Sequence, residues 1–359
     1  MRAKTWAGTI AVVLLTFTAP ASAATVHVSN THDHGRGSLR KAIERANPGD
    51  RVDVPGGHYV LTTGELLVDK ELKITGAGAR ETILDANRDS RVMNIDYAGP
   101  GTMRVSSLTV RDGDTNADSG GGGINVDAIM IKLVLTRVAV LNNRVITNTD
   151  IQNGGGVDSP GDVVIRQSLF AGNHAYNGGA VAADLIKASD STFFNNFGGN
   201  PNLNGDGGAF DDEVELTDST VFGNQCFNSD GCGGGLYGSD ATLKGTIVAG
   251  NRAYEPNGMP AGSAGNPGTS DNCASPVTSL GHNLDDHNDC ALGGAGDITG
   301  RNPRLGGLEN NGGQTNTLAL ASNSPAFNAG AGNCTRKDQR GIRRPQGNRC
   351  DIGAFELVP

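Results

Sequence analysis

Two short signals recur together along the middle of the chain, and their spacing constrains the fold more than any other feature. The first is an apolar residue followed three positions later by an asparagine, at Asn143, Asn173, Asn196, Asn224 and Asn251. The second is a run of glycine or alanine before an apolar residue, ending at Ile124, Val157, Val181, Phe210 and Leu236. Because the two signals alternate, both belong to one repeat of 23 to 30 residues.

The segments between the signals read as short strands. "VVIRQSLF", "EVELTDSTVF" and "ATLKGTIV" alternate or cluster β-branched residues over a few positions. A unit this small cannot bury an apolar face alone, but copies stacked ~4.8 Å apart can share backbone hydrogen bonds. The repeat therefore predicts an all-β, single-stranded parallel β-solenoid. Glycine would supply positive φ and close backbone approach, while asparagine tolerates left-handed backbone and forms amide ladders.

An antiparallel β-sandwich with glycine-rich hairpins is the alternative fold. It predicts turn signals every ~8–12 residues, but no long-period register between two different signals. Glycine provides 54 of the 359 residues, which a disordered chain would also explain. Short regular clusters of valine, isoleucine, leucine and phenylalanine favour a fold that turns sharply and often.

The two ends of the chain predict caps and a processing site. "GSLRKAIERANPGD" (37–50) predicts an amphipathic capping helix with Ser38 as its N-cap. The uncharged stretch after Arg2 and Lys4 predicts a secretory signal peptide cut after Ala23, too short and broken for a membrane anchor. The predicted organisation is a signal peptide (1–23), an N-terminal strand and capping helix (24–50), β-helix repeats (51–252), a Gly/Pro-rich loop (253–276) and C-terminal coils with a disulfide-stapled region (277–359).

Charge and cysteines fit an exported protein. Removing residues 1–23 takes away Arg2 and Lys4 and no acidic residue, so the formal charge changes from −9 to −11. Such an acidic chain lacks the basic stripe needed for nucleic acid or an anionic membrane. Six cysteines suit an oxidising compartment, outside the cell or in the periplasm, and no zinc-type cluster appears. Neighbour pairing needs only local loop closure and is favoured: Cys226–Cys232, Cys273–Cys290 and Cys334–Cys350.

Three regions resemble known families. "GSLRKAIERANPGDRVDVPGGHYVL" resembles the opening of CSLREA-type and pectin-lyase-like proteins, with Gly37 where the eponymous cysteine stands. The paired repeats resemble those of chlamydial polymorphic membrane proteins. "GHNLDD", "NGGQTNTLAL", "SPAFNAG", "DQRGIRRP" and "CDIGAFE" resemble, in that order, the choice-of-anchor Q domain of bacterial secreted β-helix proteins. The resemblance implies a right-handed parallel β-helix and a secreted protein, and it assigns no activity.

The catalytic candidates are weak. Asp206, Asp211 and Asp212, in "DGGAFDDE", form the strongest carboxylate group, and a glycoside hydrolase needs two carboxylates. The Gly-His-Gly and Arg-Ile-Lys stretches that accompany such a pair in polygalacturonases are absent. A solvated acidic turn beside a glycine corner is the favoured explanation of the group. A lyase would need a basic residue as its base, and Lys132, Arg166 and Lys187 read as isolated surface residues.

Calcium is the only cofactor that the sequence suggests. The alternation in "DGDTNAD" resembles the first half of an EF-hand loop, with ligand candidates Asp112, Asp114, Asn116 and Asp118. Ala117 and Gly123 stand where that motif needs glycine and glutamate, so an acidic surface loop is the alternative. "NLDDHND" (283–289) is a weaker version. "DQRGIRRPQG" (338–347) predicts a fixed loop, with Arg340 paired to Asp338 or Asp351.

Three functions compete at this stage. A complete set of solenoid signals without a complete catalytic set favours a monomeric, non-catalytic module that binds an extracellular glycan or cell-surface partner. A polysaccharide lyase or glycoside hydrolase of the pectin-lyase-like class is the first alternative. An inert stalk or coat component is the second.

Overall fold

The computed structural model describes residues 23–115, 120–145, 153–199, 205–227, 232–238, 240–255, 259–260 and 271–358. The predicted signal peptide, apart from Ala23, and most of the predicted loop 253–276 lie outside these residues. The described chain forms short strands stacked coil upon coil, with a single α-helix, Leu39–Arg45. The predicted fold class, an all-β parallel β-helix with an N-terminal capping helix, is confirmed.

Each full coil passes through four sheets in turn, which we number in that order. Sheet 1 comprises Thr25–His27, Arg51–Val54, Lys73–Gly76, Gly101–Ser106, Ile131–Thr136, Val163–Arg166, Leu185–Ser189, Glu213–Thr217, Thr242–Lys244 and Thr278–Ser279. Sheet 2 comprises Gly57–Val60, Thr82–Asp85, Thr109–Arg111, Ala139–Leu141, Leu169–Ala171, Thr192–Phe194, Thr220–Phe222, Ile247–Ala249, Leu284–Asp285 and Ile298–Thr299.

The other two sheets are smaller. Sheet 3 comprises Asp114–Thr115, Arg144–Val145, His174–Ala175, Phe197–Gly198, Gln225–Phe227, Arg252–Glu255 and the antiparallel Met259–Pro260. Sheet 4 comprises Leu66–Val68, Met93–Ile95, Ile124–Val126, Val157–Ser159 and Val181–Ala183. Single bridges continue sheet 4 through Phe210, Leu236 and Cys273. An antiparallel pair, Leu305–Glu309 with Thr317–Leu320, follows the last coil.

Parallel pairing in strict register builds one continuous core. Phe170 pairs with Val140 of the coil before and with Phe193 of the coil after. The rings of Phe170 and Phe193 are stacked 5.2 Å apart, and Phe210 meets Phe193 edge-on at 4.4 Å. Each such ring is fully buried, which stabilises the fold by ~1.5–3 kcal/mol per side chain. The strands of the core pair in parallel with strands one repeat away in sequence, which excludes the antiparallel β-sandwich.

The asparagine signals form a buried amide ladder between sheets 2 and 3. Its members are all inaccessible to solvent: Asn143, Asn173, Asn196, Asn224 and Asn251. Each side-chain nitrogen donates to the side-chain oxygen of the next asparagine at 2.8–3.0 Å, ending at Asn272. The left-handed backbone predicted for these asparagines lies one residue earlier, as at Asn142 and Asn195. That preceding residue makes the turn, so the ladder side chain can point inward.

Each glycine signal meets two separate backbone requirements. Gly178 has φ +55°, in the left-handed region that favours glycine. A Cβ on the next residue, Gly179, would lie 2.3 Å from the Phe197 carbonyl oxygen of sheet 3. The same second position faces sheet 3 in the other coils, at Gly122, Gly155, Gly208 and Gly234. Two adjacent glycines are therefore needed because one turns the chain and the other lets two backbones touch.

The N-terminal end of the solenoid is covered by the helix Leu39–Arg45. Ser38 is its N-cap and accepts a hydrogen bond from the Lys41 backbone N–H. The predicted apolar face, which includes Leu39 and Ile43, is buried against the first coils. In the part of the chain that the structure describes, no helix is long and apolar enough to cross a membrane.

All six cysteines form disulfides, and no free cysteine remains. The pairs are Cys226–Cys232, Cys273–Cys290 and Cys334–Cys350. These are the neighbour pairs favoured from the sequence. The first two pin loops of the solenoid, and the third closes a loop near the C-terminus.

Residues 301–358, which we call the C-terminal lobe, pack along the corner where sheet 1 leads into sheet 2. Gln167 and Asp218 occupy left-handed positions at that corner. The Gln167 side-chain amide donates to the Asp338 carbonyl at 2.8 Å, and the Thr335 N–H donates to the Asp218 carboxylate at 2.6 Å. The lobe therefore rests on the side of the solenoid.

Buried ion pairs hold the C-terminal lobe together and to the corner. Arg344 is fully buried and lies 3.4 Å from the Glu356 carboxylate and 3.8 Å from that of Asp190. Arg340 pairs with Asp338 at 2.7 Å, one of the two pairings expected for this loop. Separating any of these pairs would leave an uncompensated charge in the interior, which costs free energy. The pairs therefore hold the stretch 338–344 in a fixed position.

Candidate functional site

A groove of about 500 Å³ crosses the outer face of sheet 1. Five successive strands form its floor, from Gly101–Ser106 to Glu213–Thr217. Because side chains alternate along a strand, every second residue points outward. In-register pairing stacks the outward residues into columns parallel to the solenoid axis. One column reads Arg104, Val134, Val164 and Lys187.

The groove is cationic although the protein is acidic. Four lining side chains are cationic and one is acidic: Arg104, Lys132, Arg166, Lys187 and Glu215. The structure thus brings together the three basic residues that looked isolated in the sequence, and adds Arg104. Val134 and Val164 leave an apolar strip between them. Since neighbouring coils lie ~4.8 Å apart, the charges repeat at short, regular intervals along the axis.

The partners of these cations are weak and exchangeable. Lys132 lies 3.1 Å from Asp162, and Lys187 lies 2.7 Å from Glu215. The side chains of both pairs are 40–44% exposed, and such pairs contribute only ~0–1 kcal/mol. Arg166 has no ion pair or side-chain hydrogen bond with any residue that the structure describes. An anionic ligand could therefore bind these cations at little cost to the fold.

Lys187 is suited to binding an anion rather than to acting as a base. The hydrogen bond and charge of Glu215 raise the pKa of Lys187 above its usual value. Lys187 therefore stays protonated at neutral pH, whereas a general base must be able to accept a proton. A protonated lysine is suited to holding an anion in place.

Of the three candidate carboxylates, only Asp212 lines a groove, a different one of about 450 Å³ beside sheet 4. Polar and acidic side chains dominate its lining, including Asn125, Asp127, Asn153, Asp158, Asp184 and Asp212. Val157 pairs with Val181, which bridges to Phe210, so Asp158 and Asp211 stand on either side of Ala182 in the stack. No lysine or arginine is among the described residues that line this groove.

Burial and mutual repulsion raise the pKa values of this acidic cluster. Burial raises the pKa of Asp158 to about 7, and the nearby charge of Asp212 adds to the effect. Burial also raises the pKa of Asp211 to about 7, with further contributions from Asp212, Asp206 and Asp158. Asp212 accepts a hydrogen bond from the Ala183 N–H at 3.2 Å, yet burial raises its pKa as well. Part of the cluster is therefore protonated at neutral pH.

We expect Asp211→Asn to be more stable than the wild type at alkaline pH. The folded pKa of Asp211, about 7, exceeds its ordinary value of 3.8, so this carboxyl favours folding below pH ~4 and loses that contribution as pH rises through 7. At ~1.4 kcal/mol per pKa unit, the advantage of the variant over the wild type should grow by roughly 2–3 kcal/mol between pH 5 and pH 8. Urea unfolding at both pH values measures the difference. The exposed Asp240→Asn is the control, and a gain independent of pH would contradict the assignment.

The calcium candidates divide between charge pairs and undescribed residues. Asp112 lies 3.4 Å from Arg111 and 3.5 Å from Arg88. Asp114 accepts a hydrogen bond from Arg144 at 2.7 Å. Asn116 and Asp118 lie outside the described residues. The two described carboxylates are thus neutralised by arginines.

The weaker candidate, 283–289, caps the amide ladder. Asn272 donates to Asp285 and Asp286, each at 2.8 Å, and its backbone N–H donates to Asp289 at 2.9 Å. Burial and the neighbouring Asp285 raise the pKa of Asp289 to about 6. Cys290, which lies within reach of the same carboxylates, is committed to a disulfide. Hydrogen bonding at the end of the ladder accounts for this acidic group.

The cationic groove was missed because its residues are distant in sequence, although a signal exists. Counting back nine residues from each of the five ladder asparagines gives one outward column: Val134, Val164, Lys187, Glu215 and Thr242. Arg166 stands seven residues before Asn173, in the next outward column. Aligning the repeats on their asparagines would therefore have placed Arg166 and Lys187 on the same face.

Comparisons with known proteins add little beyond the architecture. No family model and no curated protein matches the chain, so its resemblance to CSLREA-type and choice-of-anchor Q proteins stays a prediction. The pectate lyase Pel9A aligns with 93% of this chain and 97% of its own, at 14% identity and a TM-score of 0.44. ORF18 of Geobacillus virus E2 aligns with 71% of this chain and 62% of its own, at 11% identity and a TM-score of 0.31.

Proposed function

We propose that this chain is a secreted, non-catalytic binding module that holds an extended acidic polysaccharide in the groove of sheet 1. The observation that carries the proposal is the alignment of Arg104, Lys132, Arg166 and Lys187 on one face. Lys132, Lys187 and Arg104 are compensated only by half-exposed pairs. The acidic cluster with raised pKa values lies beside sheet 4.

The shape of the groove favours a polymer over a small anion. The cations are spread over four coils instead of converging on one point, and the floor between them is open and partly apolar. A chain of uronate or sulfated sugars presents regularly spaced negative charges and apolar ring faces, which match this pattern. Three disulfides suit an oxidising compartment outside the cytoplasm, where such polysaccharides occur.

Binding to polygalacturonate and heparin tests the proposal. We expect both polymers to bind, with dextran as the neutral control, and we expect affinity to fall as salt screens the charges. The double variant Arg166→Ser/Lys187→Ser should weaken binding about tenfold or more, because two of the four cations are lost. Biolayer interferometry with immobilised polymer gives the dissociation constants.

The matched control is Arg36→Ser/Lys41→Ser, which removes the same charge from the capping end of the molecule. It should bind like the wild type. Equal weakening by both double variants would mean that only net charge matters, and would contradict a groove site. If neither acidic polymer binds, the proposal is contradicted, and an inert stalk becomes the favoured function.

A second candidate function, cleavage of a polysaccharide in the sheet 4 groove, is favoured by one observation. Asp158 and Asp211 have pKa values of about 7, which places protonatable carboxyls beside Asp212. A glycoside hydrolase needs one protonated and one ionised carboxyl group. New reducing ends or unsaturated products from a panel of polysaccharides, abolished in Asp211→Asn or Asp212→Asn, would replace the binding proposal with this one.

A further inference from the structure

The loop closed by Cys334–Cys350 carries a concentration of positive charge that the groove does not include. Its buried arginines, Arg340 and Arg344, are compensated by carboxylates. Its other cations are exposed, and their side chains form no ion pair or hydrogen bond with any described residue: Arg336, Lys337, Arg343 and Arg349. Within an acidic protein, this loop is a local cationic surface.

Two of these cations face each other across a hairpin. Lys337 and Arg343 are directly opposed in an antiparallel bridge. The flanking hydrogen bonds run from Asp338 N to Ile342 O at 2.8 Å and from Arg344 N to Arg336 O at 3.0 Å. This pattern makes Lys337 and Arg343 a non-hydrogen-bonded pair, the arrangement in which opposed side chains lie closest. Like charges in that position destabilise a sheet, and an anion bound between them would relieve the repulsion.

The hairpin is fixed along the edge of the groove. Lys244, in an outward column of sheet 1, donates to the Asn333 carbonyl at 3.2 Å. Two coils closer to the N-terminus, the Thr335 hydroxyl donates to the Asp190 carboxylate. One coil further, the Gln167 amide donates to the Asp338 carbonyl at 2.8 Å.

Residues 333–338 therefore run along the solenoid beside the column that contains Arg166, Ser189 and Thr217. All three of these residues line the groove. From residue 333 to residue 338, the segment passes from later coils of the solenoid to earlier ones. Arg336 and Lys337 stand in the middle of this segment, and the corner residues that it contacts, Asp190 and Gln167, directly follow the groove-lining Ser189 and Arg166.

We propose that the hairpin of residues 336–344 is the wall of the sheet 1 groove, and that Arg336, Lys337 and Arg343 bind the same acidic polysaccharide as the floor. This inference rests on the proposed function of the groove and extends it. Arg166, a cation of the floor, directly precedes Gln167, whose side-chain amide contacts the hairpin at Asp338, so the two sets of cations approach each other at this corner. The C-terminal lobe is then a specificity element.

The buried ion pairs explain why such a wall keeps its shape. Arg340 and Arg344 anchor the hairpin through Asp338 and Glu356, while Cys334–Cys350 closes its base. The exposed cations can then repel one another without opening the loop. Positioning before binding reduces the entropy lost when a polymer is captured.

The test is the double variant Lys337→Ser/Arg343→Ser, measured against polygalacturonate and heparin. We expect about fivefold weaker binding of the polymer that the groove prefers, because two exposed charge contacts are lost. Unchanged thermal unfolding would show that the lobe stays folded. The charge-conserving Lys337→Arg/Arg343→Lys should bind like the wild type, and Arg36→Ser/Lys41→Ser is the control for net charge.

The outcomes separate this inference from the proposed function. If Arg166→Ser/Lys187→Ser weakens binding and the hairpin variant does not, the wall is wrong and the groove stands. If neither variant weakens binding, both proposals fail. Equal weakening by the control at the capping end would also overturn the wall. Binding of duplex DNA as tight as that of the acidic polysaccharides would overturn the assignment of ligand class.

Discussion

Replacing Asn196 by alanine should lower the free energy of unfolding by about 3–5 kcal/mol, since each buried polar group left without a partner costs ~1–3 kcal/mol. The Asn196 side-chain oxygen accepts from both the backbone and the side-chain nitrogen of Asn173, at 3.0 and 2.9 Å. Its nitrogen donates to the Phe170 carbonyl at 3.1 Å and to the Asn224 side-chain oxygen at 2.8 Å. Water cannot replace these contacts at a fully buried position.

Urea unfolding followed by circular dichroism measures this loss. Asn323→Ala is the matched control, because Asn323 is exposed and its side chain makes no hydrogen bond with the described residues. A change below about 1 kcal/mol in both variants would mean that the ladder contributes no more than surface asparagines do. Asn196→Asp should resemble Asn196→Ala, since its second carboxylate oxygen would place a buried negative charge against the Phe170 carbonyl and Asn224 side-chain oxygens, where the Asn196 nitrogen now donates.

The sequence predicts the repeat because its two signals report requirements of the backbone. A ladder asparagine such as Asn196 and a paired glycine such as Gly179 can each be replaced by few residues, so both recur visibly. The prediction that the ladder asparagine itself adopts the left-handed backbone was wrong by one position, because the residue before it does so. Either asparagine or glycine can occupy that position, as Asn195 and Gly172 do, so no single letter marks it.

The site is harder to predict because it depends on register between coils of different length. Arg166 and Lys187 are 21 residues apart in sequence, yet they lie in adjacent columns on adjacent coils. Nothing in the local pattern around either residue distinguishes it from any other exposed cation. Only the alignment of whole repeats shows that the cations share a face.

The packing of the C-terminal lobe is beyond local sequence reasoning altogether. Thr335 contacts Asp190 and Asp218, which precede it by 145 and 117 residues. Hydrophobic periodicity carries no information about such contacts, because they join polar side chains at a corner. The sequence does indicate that the loop 338–347 is fixed, since a disulfide closes it, but not what it is fixed against.

The distribution of charge changes what the composition implies. A net charge of −9 argues against polyanion binding when it is treated as uniform. In the structure, acidic residues gather beside sheet 4, while cations gather on sheet 1 and the adjoining hairpin. Charges farther away than the Debye length of ~10 Å are largely screened. A ligand therefore responds to the charge of the nearby face more than to the net charge of the protein.

Substituting Gly179 by valine should destabilise the fold by at least about 4 kcal/mol, beyond the usual range for overpacking, because the obstacle is backbone. A Cβ at this position would lie 2.3 Å from the Phe197 carbonyl oxygen and 2.5 Å from that of Gly208. Neither atom can rotate away, so sheet 3 would have to separate from the glycine corner. Gly293→Val, where a Cβ meets nothing within 4 Å, is the control. Thermal unfolding and yield of folded protein measure both, and a Gly179→Val protein as stable as the control would refute the close approach that makes the second glycine necessary.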